Sequence, residues 1–336
     1  MSLTSQLKKS QSPVSRFMVA NFPNVKSLIV RFRDDHMHST TILPPQAVIA
    51  SVPMPQTNNV ITKSYPYMLI GTAVDYRLRY YFSIPRSRSL LAYEGAKQAY
   101  GMIVEYEEYL EKFEACYDPP RGLTKKLTEE IFSSLDQLVK RSKPVKRLIA
   151  EDDERLLARY CVILGAFEQI ARSGVMSSPV LLNPARRSLP ALLASVDERW
   201  VNDLCTLSQA FYDACGALIN HSQSIWLNPV FTGSVDVGGA DGDIVADRCL
   251  IDIKTTIKPL LNPKWLYQLL GYVLLDYDNK YNLDSVAVYM ARQQSLKKWG
   301  LTELMYEMSA GKVTDINVAR NSFRNEINGD KSLVNP

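Results

Sequence analysis

The segment 242–256, GDIVADRCLIDIKTT, brings together residue types and a spacing that could do chemistry. It reads as an antiparallel hairpin that turns at Asp247-Arg248. Ala246 then faces Cys249, Val245 faces Leu250, Ile244 faces Ile251, and Asp243 faces Asp252. A four-residue loop keeps that register and an odd-length loop shifts it by one; Asp-Arg is not the favoured Asn-Gly turn. Strand side chains alternate, so Ile244, Ala246, Cys249, Ile251 and Ile253 share one face, the expected core face. Asp243, Asp252 and Lys254 share the other, with Val245 and Leu250 near the turn.

Two carboxylates directly opposite each other repel unless a divalent cation lies between them. Hard oxygen donors suit Mg²⁺ or Mn²⁺, which keep several waters. Such an ion polarises a phosphoryl oxygen and acidifies a bound water. Lys254 could orient that water or stabilise developing negative charge. This is a complete set for phosphodiester hydrolysis. The same residues could equally form a surface ion pair of little value, with Asp241 opposite Lys254 as its structural partner.

Beyond the hairpin, Gln268 and Tyr272 follow in WLYQLLGY. Asp243, then Ile251-Asp252-Ile253-Lys254-Thr255, then Gln268 and Tyr272, resembles the PD-(D/E)XK nuclease superfamily, most closely its RecB-like branch. The resemblance implies metal binding by Asp243 and Asp252, catalytic assistance from Lys254, and Gln268 and Tyr272 at the border of the active site. RecB-like nucleases often open with a helix carrying Gly-Thr-x-x-His. Gly71-Thr72-Ala-Val-Asp75 is similar, with Asp75 where the histidine would be and still a competent hard ligand. The matched motifs cover 69–76 and 243–272.

The resemblance thus implies a restriction-endonuclease-like α/β core, a mixed central sheet flanked by helices, interrupted by a large helical insertion. It also implies a Mg²⁺-dependent (or Mn²⁺-dependent) deoxyribonuclease acting in DNA repair, recombination or defence against phage. Catalytic residues would be Asp243, Asp252, Lys254, Gln268 and Tyr272, with Asp243, Asp252 and Asp75 on the metal. Lys258, Lys264 and Arg79 would hold DNA. No GxxxxGK[ST] motif is present, so a separate helicase or ATPase, or a defence-system protein, is an expected partner. The five cysteines lack the clustered spacing of the iron–sulfur subtype. Two other readings stay open: a silent nuclease-fold subunit that binds nucleic acid or protein, and an unrelated α/β enzyme using the aspartate pair on phosphoesters or sugars.

The elements that must position these residues are legible in outline. Residues 1–15 are polar and read as frayed, followed by strand-like runs at Ser27–Phe32 and Thr41–Ala50. A helix starts near Tyr67, after Pro66, and Pro85 stops it. Helical periodicity continues through Leu90–Tyr117, Leu123–Val139, Asp152–Arg172 and Leu192–Asn220. Ser224–Phe231 reads as a strand, Gly233–Gly242 as a glycine-rich loop, Trp265–Tyr277 as a helix and Ser285–Met290 as a buried strand. Helices near 300–310 and 315–327 precede a polar tail. The expected organisation is a strand-rich segment 1–66, a first core helix 67–88, a helical insertion 89–222, a nuclease core 223–300 and C-terminal helices 301–336.

Further basic residues could meet a phosphate backbone: Arg77, Arg86, Arg88, Arg186, Arg187, Arg292, Lys297 and Lys298. His36 and His38 read as a surface loop without a third ligand, and His221 as a helix cap. The chain has 336 residues, 46% apolar and 22% charged, with a formal charge of +4. That charge is too small to name a partner by itself. No apolar run suits a membrane span or secretory leader, and the scattered cysteines suit a reducing cytoplasm.

Overall fold

In a computed structural model of the chain, the described residues are 2–29, 66–112, 123–174, 179–182, 188–258 and 260–332. The expected strand Thr41–Ala50, together with His36, His38, Arg186 and Arg187, lies outside them. The chain divides into two compact units, 1–43 with 217–336, and 44–216.

The first unit is built on a five-stranded mixed sheet. Its strands are β1 (Ile225–Leu227), β2 (Ile244–Ala246), β3 (Cys249–Lys254), β4 (Ser285–Met290) and β5 (Ser295–Gly300), adjacent in that order. All pairs are antiparallel except β3–β4, which is parallel. A parallel neighbour needs a crossover, and the helix Pro263–Leu275 supplies it. Strand β5 was not legible beforehand. Its side chains are half-buried or exposed, as suits an edge strand with a weak apolar signal. Strand β1 is shorter than expected, because Asn228 turns into the left-handed region at φ 45° ahead of Pro229.

The N-terminal residues are helical, contrary to expectation. Helix α1 (Leu3–Lys8) is capped by Ser2, whose side chain accepts from the Ser5 N–H. Helix α2 (Pro13–Asn21) is capped by Ser12 and has Pro13 in its first turn. Residues 25–29 are also helical, where a strand from Ser27 was expected. Leu3, Leu7, Val14, Met18 and Phe22 are buried in the main apolar cluster, and that burial holds the segment in place.

The same cluster corrects the reading of the sheet faces. Val245, Leu250, Val286, Val288 and Met290 lie in it with Leu266, Leu269, Leu270 and Val273 of the crossover helix. The face that carries Asp252 and Lys254 is therefore a core face. Ile244, Ala246, Cys249, Ile251, Ala287 and Tyr289, on the opposite face, are buried too. A sheet with a parallel crossover is covered by its own connection, so its strands read as nearly continuous apolar runs.

The second unit is helical. Its long helices are α3 (Tyr67–Phe82), α4 (Leu91–Lys112), α5 (Lys125–Ser142) and α6 (Glu151–Ser173), followed by the short α7 (Pro179–Leu182) and α8 (Leu189–Ala194). Helix α9 (Glu198–His221) runs past the end of this unit. The single helix expected over Leu192–Asn220 is broken because Asp197 accepts from the Arg199 N–H and starts α9 afresh. Helix α3, expected in the sheet core, packs on α6. Gly95 lets α4 meet α6 backbone to backbone: a Cβ there would fall 1.8 Å from the Phe167 carbonyl oxygen.

Buried charge fixes the α3–α6 pairing. Arg77 is fully buried and donates to both carboxylate oxygens of Glu154, at 2.5 and 2.8 Å. Tyr76 donates to Glu168 at 2.5 Å and accepts from the Ala92 N–H. Arg77 is therefore a structural residue and not a phosphate contact. Removing one partner of such a pair strands the other charge in the core. Glu154→Ala is expected to lower the unfolding free energy of this unit by about 3–5 kcal/mol, read from urea denaturation followed by helical circular dichroism.

Candidate functional site

The β2–β3 turn sets the site. Asp247 sits at φ 51°, where a short polar side chain is tolerated better than most. Its carboxylate oxygen accepts from the backbone N–H groups of Gln223 and Ser224, at 2.9 and 3.0 Å. Its own N–H donates to the Ser224 carbonyl at 2.7 Å. The turn so fixed pairs Ala246 with Cys249, Val245 with Leu250 and Ile244 with Ile251, the expected register.

Asp243 lies one residue before the paired part of β2. Its Oδ2 accepts from the Ile253 N–H at 2.6 Å. The carboxylate is thereby tied to β3 between Asp252 and Lys254. Asp252 is 2% exposed, and its Oδ2 meets Lys254 Nζ at 2.7 Å. Lys254 Nζ also donates to Gln268 Oε1 at 3.2 Å and lies 5.8 Å from the centre of the Trp265 ring. Asp241, an alternative partner for Lys254, instead makes a backbone bridge to Val230.

Gln268 comes from the crossover helix, here α10 (Pro263–Leu275). Asn262 caps this helix by accepting from the Lys264 N–H, and Pro263 sits in its first turn. Gln268 and Tyr272 are four residues apart and share a helical face. Gln268 Nε2 donates to the Tyr272 hydroxyl at 2.7 Å and to Thr4 Oγ1 at 3.3 Å. Both amide ends are used, so the carbonyl end points at Lys254. The Tyr272 ring stacks on Phe231 with centroids 5.5 Å apart. The expected set Asp243, Asp252, Lys254, Gln268 and Tyr272 is thus brought together in one unit.

The electrostatics follow from burial. Loss of solvent drives the Asp252 carboxyl above its ordinary value, against the pull of Lys254. Burial also opposes charge on Lys254, but the attraction of Asp252 and Asp243 outweighs it and moves the ammonium pKa up. Tyr272 is raised by burial first, then by the two aspartates, and keeps its proton.

The donor set fits a hard cation that retains most of its waters. Among the described residues, the buried Asp252 Oδ2 meets only the Lys254 ammonium, at 2.7 Å, which leaves acceptor capacity unused. Among the described residues no three or more His, Cys, Asp or Glu side chains stand grouped so as to hold a metal ion, so the expected trio Asp243, Asp252 and Asp75 is not seen as one ligand set. An all-protein site of the zinc type is therefore not what these residues build.

The other expected residues have partners and settings of their own. Asp75 belongs to the helical unit, where its Oδ2 accepts from Arg79 Nε and Nη2 at 3.0 and 2.5 Å. Arg79 also lies 4.8 Å over the Tyr76 ring, so both its charge and its face are engaged. Lys258 and Lys264 are exposed, as a contact to DNA requires. Arg292 is buried and donates to the Thr255 carbonyl at 3.0 Å, anchoring the loop after Lys254 rather than meeting solvent. Arg88 pairs with Glu129. Thr4, Phe231 and Trp265 join the site without having been singled out; nothing local in the sequence marks Thr4, which arrives through the packing of α1.

Comparison with known proteins found no matching family model, no matching curated protein and no matching solved structure.

The raised Asp252 carboxyl has a measurable consequence. Its protonated form is favoured in the folded chain, so its contribution to stability is full below the unfolded pKa and is lost as pH rises through the folded one. A cation that binds the carboxylate opposes this loss and binds more tightly as pH rises through the same range. Mg²⁺ or Mn²⁺ at about 100 times its dissociation constant is expected to stabilise the sheet unit by about 2.7 kcal/mol near neutral pH. Thermal melts should show the gain shrinking in acid and vanishing in the Asp243→Asn/Asp252→Asn double variant.

Proposed function

We propose that the protein is a metal-dependent deoxyribonuclease of the PD-(D/E)XK type, close to the RecB-like branch, with its sheet unit as a restriction-endonuclease-like core. The observation that carries this reading is the contact chain from Asp252 to Lys254 to Gln268 to Tyr272. An Asp-x-Lys strand end and a Gln-x-x-x-Tyr helix are far more specific together than apart. The contacts of Lys254 Nζ with Gln268 Oε1 and of Gln268 Nε2 with the Tyr272 hydroxyl support reading the two together.

Asp243 and Asp252 would hold Mg²⁺ or Mn²⁺, which polarises a phosphoryl oxygen and acidifies a bound water. Lys254 stays an ammonium, held by Asp252 and aimed by Gln268, and stabilises negative charge as it develops on the phosphate. Gln268 fixes the position of that ammonium. Tyr272 retains its O–H and can donate it to a phosphate oxygen. Lys258 and Lys264, exposed on the loop and helix start beyond Lys254, are suited to the flanking backbone. Asp75 joins this account only if it is released from Arg79. DNA repair, recombination or phage defence in the cytoplasm, with a helicase, ATPase or defence-system partner, is the setting proposed with it.

Among the described residues, no helix is long and apolar enough to cross a membrane.

The test is cleavage of linear and circular DNA, single- and double-stranded, with Mg²⁺ or Mn²⁺ and with EDTA. Cutting is expected only with the metal. Asp252→Ala and Lys254→Ala are each expected to lose about a hundredfold or more in rate, the cost of removing a group that stabilises transition-state charge. Gln268→Leu is expected to lose about tenfold, because it frees Lys254 without removing it. A folded, metal-binding chain that cuts none of these substrates would leave the silent-subunit reading in its place.

A further inference from the structure

The helical unit contains a pocket of about 600 Å³ lined by Ile84, Pro85, Arg86, Asp136, Lys140, Lys143 and Val145. That volume lies within the usual range for a small-molecule site. Three cations face it against one carboxylate. Asp136 is already committed, accepting from the Ser87 N–H at 3.3 Å. The remaining wall is apolar.

The three cations differ from the basic residues around them. Arg88 pairs with Glu129, Arg141 pairs with Asp153, and Arg147 donates to the carbonyls of Ser142 and Lys143. The side chains of Arg86, Lys140 and Lys143 make no hydrogen bond or ion pair with any described residue. All three are exposed. Lys143 is moreover the C-cap of α5 and holds φ 49°, in a region where glycine is the least costly choice. A lysine there costs more than glycine would. The end of α5 benefits from nearby positive charge, but Lys140 and Arg141 already sit in its last turn.

We propose that this pocket binds a nucleotide through its phosphate. Arg86, Lys140 and Lys143 take the phosphate oxygens, and Ile84, Pro85 and Val145 take the sugar or the face of the base. The nucleotide belongs either to a single DNA strand or to a free nucleotide; the chemistry recognised is the same. The proposal stands on the helical unit alone and does not rest on the nuclease reading.

The experiment uses the full chain in EDTA, so that no metal-dependent cleavage can occur. Fluorescence anisotropy is read with two probes, a short labelled single-stranded DNA and a fluorescent ATP analogue. The variant Arg86→Gln/Lys140→Gln/Lys143→Gly removes the three charges and places glycine where the backbone prefers it, so its folding is expected to be intact, as checked by circular dichroism. It should bind the preferred probe about tenfold or more weakly. If the preferred probe is DNA, three lost phosphate contacts should also reduce the slope of log affinity against log salt by about 2. The Lys140→Arg variant should keep its affinity. Preference for DNA identifies a strand-binding site, and preference for the ATP analogue a free-nucleotide site. Failure of the wild-type chain to bind either probe overturns the proposal. So does unchanged binding by the folded triple variant.

Discussion

A slip of β3 by one residue against β2 would turn Asp252 and Lys254 to the opposite face of the sheet, away from Gln268 and Tyr272. The register of this short hairpin is therefore the constraint on which the candidate site depends. Three ladder pairs are few, and Asp247 adds to them from outside. Its carboxylate and its N–H together join the turn to the backbone at Gln223 and Ser224, just ahead of β1. Asp243 adds a second pin at the other end, by accepting from the Ile253 N–H. One candidate metal ligand thus also holds the strand that carries the other.

Placing these charges on a covered face raises their cost and their use together. A buried carboxylate and ammonium lose solvation, and their mutual attraction offsets this only with good geometry and further hydrogen bonds. Lys254 has such help from Gln268, and Gln268 is held in turn by Tyr272 and Thr4. Asp252 has less: among the described residues only the Lys254 ammonium meets its Oδ2, at 2.7 Å. The imbalance lies on the acceptor side, where a cation would correct it.

The helical unit uses buried charge for a different end. Arg77 with Glu154, and Tyr76 with Glu168, satisfy one another inside helix contacts and leave little for a ligand. Among the described residues, the side chains of Arg86, Lys140 and Lys143 have no such partners. Position within the packing, and not residue type, separates structural arginines from those open to an anion.

The alternating pattern of 244–254, taken with a turn at Asp247-Arg248, was enough to propose the hairpin, the register that is found and the grouping of Asp243, Asp252 and Lys254, though an odd-length loop would have shifted that register by one. The spacing of Gln268 and Tyr272 was enough to put both on one helical face. These are local relations, governed by the periods of strand and helix. That the face carrying the charges is buried as well was decided by tertiary structure, because the parallel crossover lays α10 over it. Thr4 reached Gln268 through the packing of α1, across a separation of 264 residues that no local pattern spans. The fates of Asp75, Arg79, Arg77 and Arg292 were likewise decided by the neighbours that folding brought them. A charged side chain reads the same in sequence whether it meets solvent, a ligand or a buried partner, and only the packed environment distinguishes these.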